Sequence, residues 1–291
     1  MAKVTIDKEL CTDCSLCAQV CPNLVFEQVD RVIGVRSHAI ENCISCGQCL
    51  AVCRTDAVSV EGMEGQVVPL PEVTVDADLF RAMSLRRRSV RTYRKREVEC
   101  EVVEEAIALG ACAPLSFAPW EIGVTTVLGE EKCARLAETI SVVMEKLVDM
   151  NHHFISRFFI KRALGKERYR VMDEFFIPLL EEGMEVFHEQ HVDVILRGAP
   201  ALMVFHSSPA ALEGGTDAVL AAAHTALALQ SLGLGVCFNG LVTAAAKQEP
   251  EVREALGVPG GHEVEVAFTF GYPRVKYRKG ITREFRSVDF V

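Results

Sequence analysis

The spacing of hydrophobic residues predicts helices and strands throughout the last two thirds of the chain. Apolar residues that recur every three to four positions predict helices over 101–111, 130–150 and 216–232. Short apolar runs and one strictly alternating run predict strands over 122–128, 201–206 and 263–272. A charged and largely helical stretch lies before the second strand and extends to about residue 196. This mixture predicts an α+β fold class.

The most apolar stretch, 218–236, predicts a buried helix and not a membrane span. Four polar residues interrupt it: His224, Thr225, Gln230 and Ser231. Its large and small residues also follow helical spacing. The first ten residues contain no apolar run of the kind found in a secretory signal. We therefore expect a cytoplasmic protein without a membrane span.

Length and charge add two expectations about organisation and partners. The chain has 291 residues, of which 49% are apolar, and this is enough for two domains of unequal size. The formal net charge of −9 argues against a general nucleic-acid-binding protein, which usually has an excess of basic residues. A local basic pocket is still compatible with that charge.

The cysteines are concentrated near the N-terminus. Of the twelve in the chain, eight lie between Cys11 and Cys53. The disulfides of a secreted protein would be spread through its fold, whereas a dense local group is typical of a metal site in a reducing compartment. The sequence therefore predicts metal ligands and a cytoplasmic location.

These eight cysteines form two runs with the same spacing, 32 positions apart. The first run is Cys11, Cys14, Cys17 and Cys21, and the second is Cys43, Cys46, Cys49 and Cys53. Three thiolates at this spacing can surround three corners of a [4Fe–4S] cubane, and in two-cluster proteins the fourth binds the other cubane. On that rule, cluster 1 is bound by Cys11, Cys14, Cys17 and Cys53. Cluster 2 is bound by Cys43, Cys46, Cys49 and Cys21.

Structural zinc is the alternative, but zinc sites usually use two separated Cys-x2-Cys pairs and need no third cysteine at the same interval. Residues 3–60 resemble the bacterial two-cluster ferredoxins. The second run departs from that pattern, because Arg54 follows it where Pro22 follows the first run. An arginine there could raise the potential of its cluster or face a partner, and the sequence leaves both possibilities open.

Glycine, proline and acidic residues separate the cysteine-rich segment from the rest of the chain. Such a composition is typical of a linker. The sequence therefore predicts a ferredoxin-like domain with two [4Fe–4S] clusters over 1–62, a linker over 63–77 and a second domain over 78–291. A largely helical insertion is predicted at about 140–197.

An arginine-rich turn lies near the start of the second domain. Guanidinium groups and a hydroxyl, from Arg87, Arg88, Ser89 and Arg91, suit the binding of a phosphate. Such a run is by itself also typical of a solvated surface. Together with later motifs, however, it resembles the FMN-dependent nitroreductase family over about 76–291. Those motifs are Ala113-Pro114, Pro119-Trp120-Glu121, Gly198-Ala199-Pro200, Leu232-Gly233-Leu234-Gly235 and Phe270-Gly271-Tyr272-Pro273.

The resemblance implies a nitroreductase-like α+β sandwich, in which helices flank a central, mostly antiparallel sheet. It also implies a homodimer with FMN at the subunit interface. Arg87, Arg88 and Ser89 would bind the FMN phosphate and ribityl chain, and Arg91 would lie near the pyrimidine side of the flavin, where a positive charge stabilises the reduced form. The segment beside the isoalloxazine would be Cys237, Phe238, Asn239 and Gly240. Lys279 and Arg283 would complete the phosphate site.

The second loop of this domain departs from the family pattern. Family members usually have Ser-x-Asn-x-Gln-Pro there, whereas this chain has Leu115-Ser116-Phe117-Ala118-Pro119 and lacks both amides. Recognition of the flavin ring must then use other groups, while phosphate binding is unaffected.

Other signals are weaker. The chain has no G-x-G-x-x-G motif for a Rossmann NAD site. Glu185, His188 and His191 could share one helical face, but a polar surface explains them better than a metal site. Cys237 is expected to be a buried thiol without a catalytic role.

Five phenylalanines in the insertion are expected to pack in a core, although the family also builds a flavin lid there: Phe154, Phe158, Phe159, Phe175 and Phe176.

These features favour an oxidoreductase in which two [4Fe–4S] clusters pass electrons to FMN, and FMN reduces a nitroaromatic, a quinone or a related small organic acceptor. An external low-potential donor would supply the electrons. Because the flavin performs such chemistry, no obligatory catalytic side chain is expected. The alternative is a non-enzymatic electron carrier or redox sensor that docks to a larger complex. A scaffold with a vestigial site is a third possibility.

Overall fold

A computed structural model describes residues 3–36, 42–73, 76–116 and 119–291. The chain forms two compact units, Met1–Thr74 and Val75–Val291. The division between them falls within the predicted linker over 63–77.

The described residues of the N-terminal unit form two short antiparallel strand pairs and two one-turn helices. Its elements are β1 (Val4–Ile6), α1 (Leu16–Val20), β2 (Phe26–Val29), β3 (Val32–Val35), α2 (Gln48–Val52) and β4 (Val58–Val60). Strand β1 pairs with β4, and β2 pairs with β3. Val4, Val25, Phe26 and Ile33 are buried and form a small core with two of the cysteines, so the metal-site residues are part of the packing.

The second unit contains all the helices and strands predicted for it, with ends shifted by one or two residues. Its first elements are α3 (Ala77–Arg86), α4 (Cys100–Gly110), a 3-10 turn (Pro119–Glu121), β5 (Ile122–Leu128) and α5 (Glu130–His152). Next come α6 (Phe154–Leu164), α7 (Lys166–Val171), a π-helical turn (Met172–Phe176), α8 (Ile177–Glu189) and β6 (Ala201–Ser207). The last are α9 (Gly214–Ser231), β7 (Gly235–Phe238), α10 (Gly240–Gln248), α11 (Pro250–Ala255) and β8 (Glu263–Gly271).

Four of these strands form one antiparallel sheet in the order β5-β6-β8-β7. Successive side chains of a strand point to opposite faces, and β6 is buried on both. Met203 and Phe205 pack on the face covered by α4 and α9, while Leu202 and Val204 pack on the face covered by α5, α8 and α10. Helices therefore cover both faces of the antiparallel sheet, and the predicted α+β sandwich is confirmed.

The contact between α4 and α9 depends on small residues. Both helices bring alanines to their shared core. A Cβ atom on Gly110 would lie 1.9 Å from the Oγ1 atom of Thr225, so only glycine allows the helices to approach this closely. This packing fixes α9 beside the sheet, and the C-terminal end of α9 reaches α3, where Gln230 donates a hydrogen bond to the Met83 carbonyl.

In the insertion, α6 packs against α5 and α7, and α8 packs against α5, but the phenylalanines do not pack as expected. The prediction of core packing is wrong for Phe154, Phe158, Phe159 and Phe175, whose side chains are all more than half exposed. Phe176 is 36% exposed. The physical reason is that the inner side of α6 and α7 is occupied by a polar network around Tyr169, which turns the aromatic side of α6 outward.

Candidate functional site

The eight cysteines of the N-terminal unit line two separate cavities. Cys11, Cys14, Cys17 and Cys53 line one open cavity. Cys21, Cys43, Cys46 and Cys49 line the other. Each cavity thus combines three cysteines of one run with the last cysteine of the other, the grouping proposed for clusters 1 and 2. Within the described ranges, no three His, Cys, Asp or Glu side chains converge closely enough to bind a single metal ion.

The backbone around each cavity follows the sequence repeat. Ser15 and Gly47, which are 32 positions apart, both adopt left-handed conformations just before α1 and α2, with φ of 62° and 72°. This turn carries the third cysteine of each run into its helix, and both of these, Cys17 and Cys49, are buried. The chain therefore wraps around each cavity in the same way.

Hydrogen bonds to sulfur also repeat between the two cavities. The Val25 N–H group lies 3.4 Å from the Cys21 sulfur, and the Ala57 N–H group lies 3.3 Å from the Cys53 sulfur. Such donors stabilise a thiolate. Although burial opposes ionisation, the N–H groups of Thr55, Ala57 and Val58 lower the pKa of Cys53 below its usual value. Burial has the opposite net effect on Cys49 and raises its pKa to about 11, so its thiolate needs the positive charge of a metal.

The two cavities differ in the charged and polar groups that lie near their sulfur atoms. Arg54 and Thr55 line the cavity of Cys53, where Pro22 and Asn23 line the other. The Thr55 hydroxyl lies 3.9 Å from the Cys53 sulfur. A carboxylate oxygen of Asp13 lies 3.8 Å from the Cys11 sulfur and accepts a hydrogen bond from the Ile33 N–H group. One cavity therefore has a positive and a negative residue that the other lacks.

In the second unit, the arginine-rich turn lies along the outer edge of β7. Ser89 forms a parallel bridge with Val236, and the Val90 N–H group donates to the Val236 carbonyl at 3.0 Å. A Cβ atom on Gly235 would lie 2.5 Å from the Val90 side chain, so this close approach requires glycine. The turn is thereby brought beside the strand that carries Cys237 and Phe238.

The arginines of this turn differ in their contacts. Arg87 is exposed at the C-terminal end of α3. Arg88 donates to the carbonyls of Leu85 and Arg87, at 2.9 Å and 2.6 Å, so part of its guanidinium group caps α3. Arg91 is exposed, and its guanidinium group lies 3.5 Å from the Ser89 carbonyl. The positive charges of Arg87 and Arg91 thus face solvent on either side of Ser89.

A buried tyrosine holds the turn against the sheet. The Tyr93 hydroxyl donates to the Val90 carbonyl at 2.7 Å and lies 3.0 Å from the Thr269 hydroxyl, which in turn is bonded to the Cys237 carbonyl at 3.4 Å. Burial raises the pKa of Tyr93 well above its usual value, while the hydrogen bond with Thr269 and the nearby charges of Arg197 and Arg91 oppose the rise. The tyrosine therefore remains a neutral donor at physiological pH.

The segment after β7 turns into α10 through an asparagine cap. The Asn239 side-chain oxygen accepts from the N–H groups of Leu241 and Val242, and its amide donates to the Ile195 carbonyl at 2.7 Å. Cys237 is buried, whereas Phe238 and Gly240 are exposed. The Asn239 side chain is thus engaged in holding the chain, and Phe238 presents its ring to the surface.

The predicted basic residues of the C-terminal tail are only partly brought to this site. Gly280 lies against Leu85 in the last turn of α3, where an added Cβ atom would be 3.2 Å from the Leu85 backbone oxygen. Its neighbour Lys279 is therefore near the arginine-rich turn. Arg283 is exposed farther along the tail, and no described contact connects it with the turn.

Two residues near these elements were missed by the sequence analysis. Arg197 lies close enough to Tyr93 to affect its pKa and adopts a left-handed conformation, with φ of 62°. Asp217 in α9 is buried and accepts hydrogen bonds from the N–H group and hydroxyl of Ser116, at 2.9 Å and 2.6 Å, which anchors the start of the second loop. Phe117 and Ala118 of that loop lie outside the described residues. The Arg-Gly-Ala-Pro sequence before β6 was the available signal for Arg197.

Of the three residues that could share one helical face in the insertion, His188 is hydrogen-bonded to Glu145 of α5 at the surface. Among the described residues, no helix is both long and apolar enough to cross a membrane.

Comparison with known proteins connects both units to families. Residues 10–58 match a 4Fe-4S dicluster domain, and residues 85–272 match the nitroreductase family. An uncharacterized ferredoxin of Methanocaldococcus jannaschii is 44% identical over 61 residues, which cover 20% of this chain and 94% of that protein. A ferredoxin of Methanothermococcus thermolithotrophicus is 39% identical over 61 residues and is covered to 97%.

Solved structures resemble the second unit in fold. A nitroreductase with bound FMN from Bacteroides fragilis has a TM-score of 0.55 at 22% identity, over 75% of this chain and 100% of that one. A nitroreductase with bound FMN from Desulfitobacterium hafniense has a TM-score of 0.52 at 16% identity, with the same coverage. The chain therefore belongs to the nitroreductase family and carries a 4Fe-4S dicluster domain at its N-terminal end.

Proposed function

We propose that this protein is an iron–sulfur flavoprotein oxidoreductase that passes electrons from two [4Fe–4S] clusters to FMN and on to a small organic acceptor, such as a nitroaromatic or a quinone. The observation that carries the proposal is the presence of both families in one chain. Iron–sulfur clusters carry single electrons, whereas bound FMN can accept electrons singly and deliver them in pairs. The combination suits a donor of single electrons and an acceptor of two.

The cysteine cavities fit two cubanes. Each cavity is lined by four cysteines. In each cavity a backbone N–H group also lies near the sulfur of the last cysteine of a run, and the two contacts are at equivalent positions of the repeat. We assign cluster 1 to Cys11, Cys14, Cys17 and Cys53. Cluster 2 is assigned to Cys43, Cys46, Cys49 and Cys21.

The edge of β7 fits a phosphate-bearing cofactor. Arg87, Ser89 and Arg91 supply charge and a hydroxyl on one side of the strand, and the neighbouring Arg88 retains guanidinium N–H groups beyond its two backbone contacts. We assign FMN to these residues, to Lys279 and Arg283 in the tail, and to the segment that follows Val236. That segment comprises Cys237, Phe238, Asn239 and Gly240. Arg197 is added as a further positive charge near the cofactor.

The relay is tested by separating the two sources of electrons. Protein reconstituted anaerobically with iron, sulfide and FMN is assayed with a nitroaromatic acceptor, using either a reduced bacterial ferredoxin or dithionite as donor. We expect Cys17→Ala to abolish turnover with ferredoxin and to preserve turnover with dithionite, because the variant loses a cluster but keeps the flavin site.

Cys112→Ala is the matched control, since this exposed cysteine lies in the second unit and should leave both activities unchanged. Equal loss of both activities in Cys17→Ala would contradict the relay. Retention of flavin and clusters without turnover of any acceptor would favour the electron carrier or redox sensor.

A further inference from the structure

The helix pair α6 and α7 presents a basic and aromatic surface that lies outside the residues assigned above to the clusters and to FMN. Four apolar side chains of α6 are between 59% and 85% exposed: Phe154, Ile155, Phe158 and Phe159. Phe154 and Phe158 are four residues apart, as are Ile155 and Phe159, so the four side chains share one side of the helix. We call these residues, together with four basic residues that follow in α6 and α7, the aromatic–basic face: Lys161, whose amine lies 5.9 Å from the centre of the Tyr169 ring, Arg162, Lys166 and Arg168.

The charge of this region is opposite to that of the chain. Residues 154–171 contain six lysines and arginines and one glutamate, a formal charge of +5, whereas the whole chain has −9. Two of the six are neutralised, because Arg157 pairs with Asp173 and Arg170 with Glu167. The other four, which belong to the aromatic–basic face, form no ion pair within the part of the chain that the structure describes.

The exposure of the phenylalanines is built into the fold of the insertion. Beneath α6, the Arg157 guanidinium donates to the Tyr169 hydroxyl and to the Asp173 carboxylate, both at 2.6 Å. Asn151 donates to the same carboxylate at 3.1 Å, and Asn151 and Tyr169 are both buried. This network links α6 to α5, to α7 and to the π-helical turn, while the four apolar side chains remain exposed.

We propose that the aromatic–basic face docks the protein on the surface of a membrane that contains anionic phospholipids. A helix with phenylalanines on one side and lysines and arginines around them can lie in the plane of the lipid interface, with its rings at the acyl boundary and its charges at the headgroups. Basic residues near such a surface are attracted by its negative potential. A symmetric contact between two copies of this face would instead bring like charges together.

The test uses the full-length protein and two kinds of vesicle, phosphatidylcholine alone and phosphatidylcholine mixed with phosphatidylglycerol. Co-sedimentation should show binding to the anionic vesicles at low salt and much less to the neutral ones. The double variant Lys161→Glu/Arg162→Glu should weaken binding by about tenfold or more, since two attractive charges become repulsive. Phe158→Ser should also weaken it, because the helix loses an apolar anchor.

Lys132→Glu and Phe290→Ser are matched controls, since they change an exposed lysine and an exposed phenylalanine elsewhere and should bind like the parent protein. The proposal is overturned if the parent protein stays in solution or if all variants bind equally. It is also overturned if the parent binds heparin but not vesicles, which would indicate an acidic macromolecule as partner. Dissociation of a dimer by Phe158→Ser would show that a second copy covers the face.

Discussion

Arg54 and Pro22 occupy the same position in the two cysteine runs, yet they give their cavities different electrostatics. Arg54 brings a positive charge to the cavity of Cys53, and Asp13 brings a negative one near Cys11. The equivalent positions in the other run are the uncharged Pro22 and Ser45. Local charge and hydrogen bonding set the reduction potential of an iron–sulfur cluster. These two residues should therefore give one cluster a reduction potential different from that of the other.

We expect Arg54→Pro to lower the midpoint potential of one cluster by tens of millivolts and to leave the other unchanged. Reduction adds negative charge to a cluster, and loss of a nearby positive charge makes that addition less favourable. The measurement is an anaerobic redox titration monitored by electron paramagnetic resonance.

Asp13→Asn is the complementary variant, since it removes the negative charge and keeps an oxygen that can accept from the Ile33 N–H group. The same cluster should then shift upward. Equal shifts of both clusters in either variant would show that the residues do not act locally.

Residue types and spacing predicted much of the candidate site, but only where the chemistry is local in sequence. The cysteine runs predicted two groups of four, because cubane ligation imposes its own spacing, and the same two groups line the two cavities. Arg197 and Asp217 were not predicted, since their relevance depends on contacts with Tyr93 and Ser116, which are distant along the chain. A single arginine or aspartate has no sequence pattern that reports such a contact.

At the level of elements, the arginine-rich turn that precedes α4 is held firmly against β7. The turn is joined to β7 by the Ser89–Val236 bridge and to the end of β8 by a second bridge between Tyr93 and Pro273. The Tyr93 hydroxyl adds a buried link to the Val90 carbonyl and to Thr269. The position of the arginines relative to β7 therefore depends on a tyrosine that itself need not contact a cofactor.

Tyr93→Phe should destabilise the second unit by about 1–3 kcal/mol, because the Val90 carbonyl and the Thr269 hydroxyl lose a buried partner. It should also weaken the binding of FMN, since the arginine-rich turn is held less firmly. Chemical denaturation measures the first effect, and a fluorescence titration with FMN measures the second.

Tyr272→Phe is a suitable comparison, because the Tyr272 hydroxyl bonds to an exposed carboxylate, Glu99, and its loss should have a small effect. If both variants bound FMN as tightly as the parent protein, the tyrosine would have no positioning role.

The periodic pattern predicted helices and strands well, and it failed where an element's environment is decided by its neighbours. The strand over 263–272 and the helix over 216–232 have strong patterns and occur with nearly the predicted ends. The phenylalanines of α6 were assigned to a core because they are apolar. Their exposure follows from the Arg157–Tyr169–Asp173 network, and no local pattern predicts which side of a helix such a network will occupy.

On the scale of the whole molecule, one chain leaves the proposed cofactor site open. Arg87, Arg91 and Phe238 are exposed, and so are Leu79 and Phe80 on the adjacent helix α3. Exposed apolar residues beside a binding site often mark a contact with another protein. This arrangement supports the proposal of a homodimer in which a second copy completes the flavin site.

We expect the parent protein to have twice the mass of one chain by light scattering and to retain FMN. Phe80→Asp should shift the mass toward the monomer and release the flavin, because a charge is placed in the proposed interface. Val29→Asp, an exposed position in the ferredoxin-like unit, should change neither property. A parent protein that is monomeric and still retains FMN would rule out the dimeric site.

The bridge between Ser89 and Val236 has a consequence for solubility. Strand β7 is the outermost strand of its sheet, and an open edge can recruit strands from other molecules. The arginine-rich turn occupies part of that edge and places several positive charges along it. Strands of other protein molecules are therefore both blocked by the turn and repelled when they carry positive charge. Loosening the turn would therefore expose the unpaired backbone groups of β7 to strands of other molecules. The arginines that suit a phosphate thus also protect the protein against aggregation.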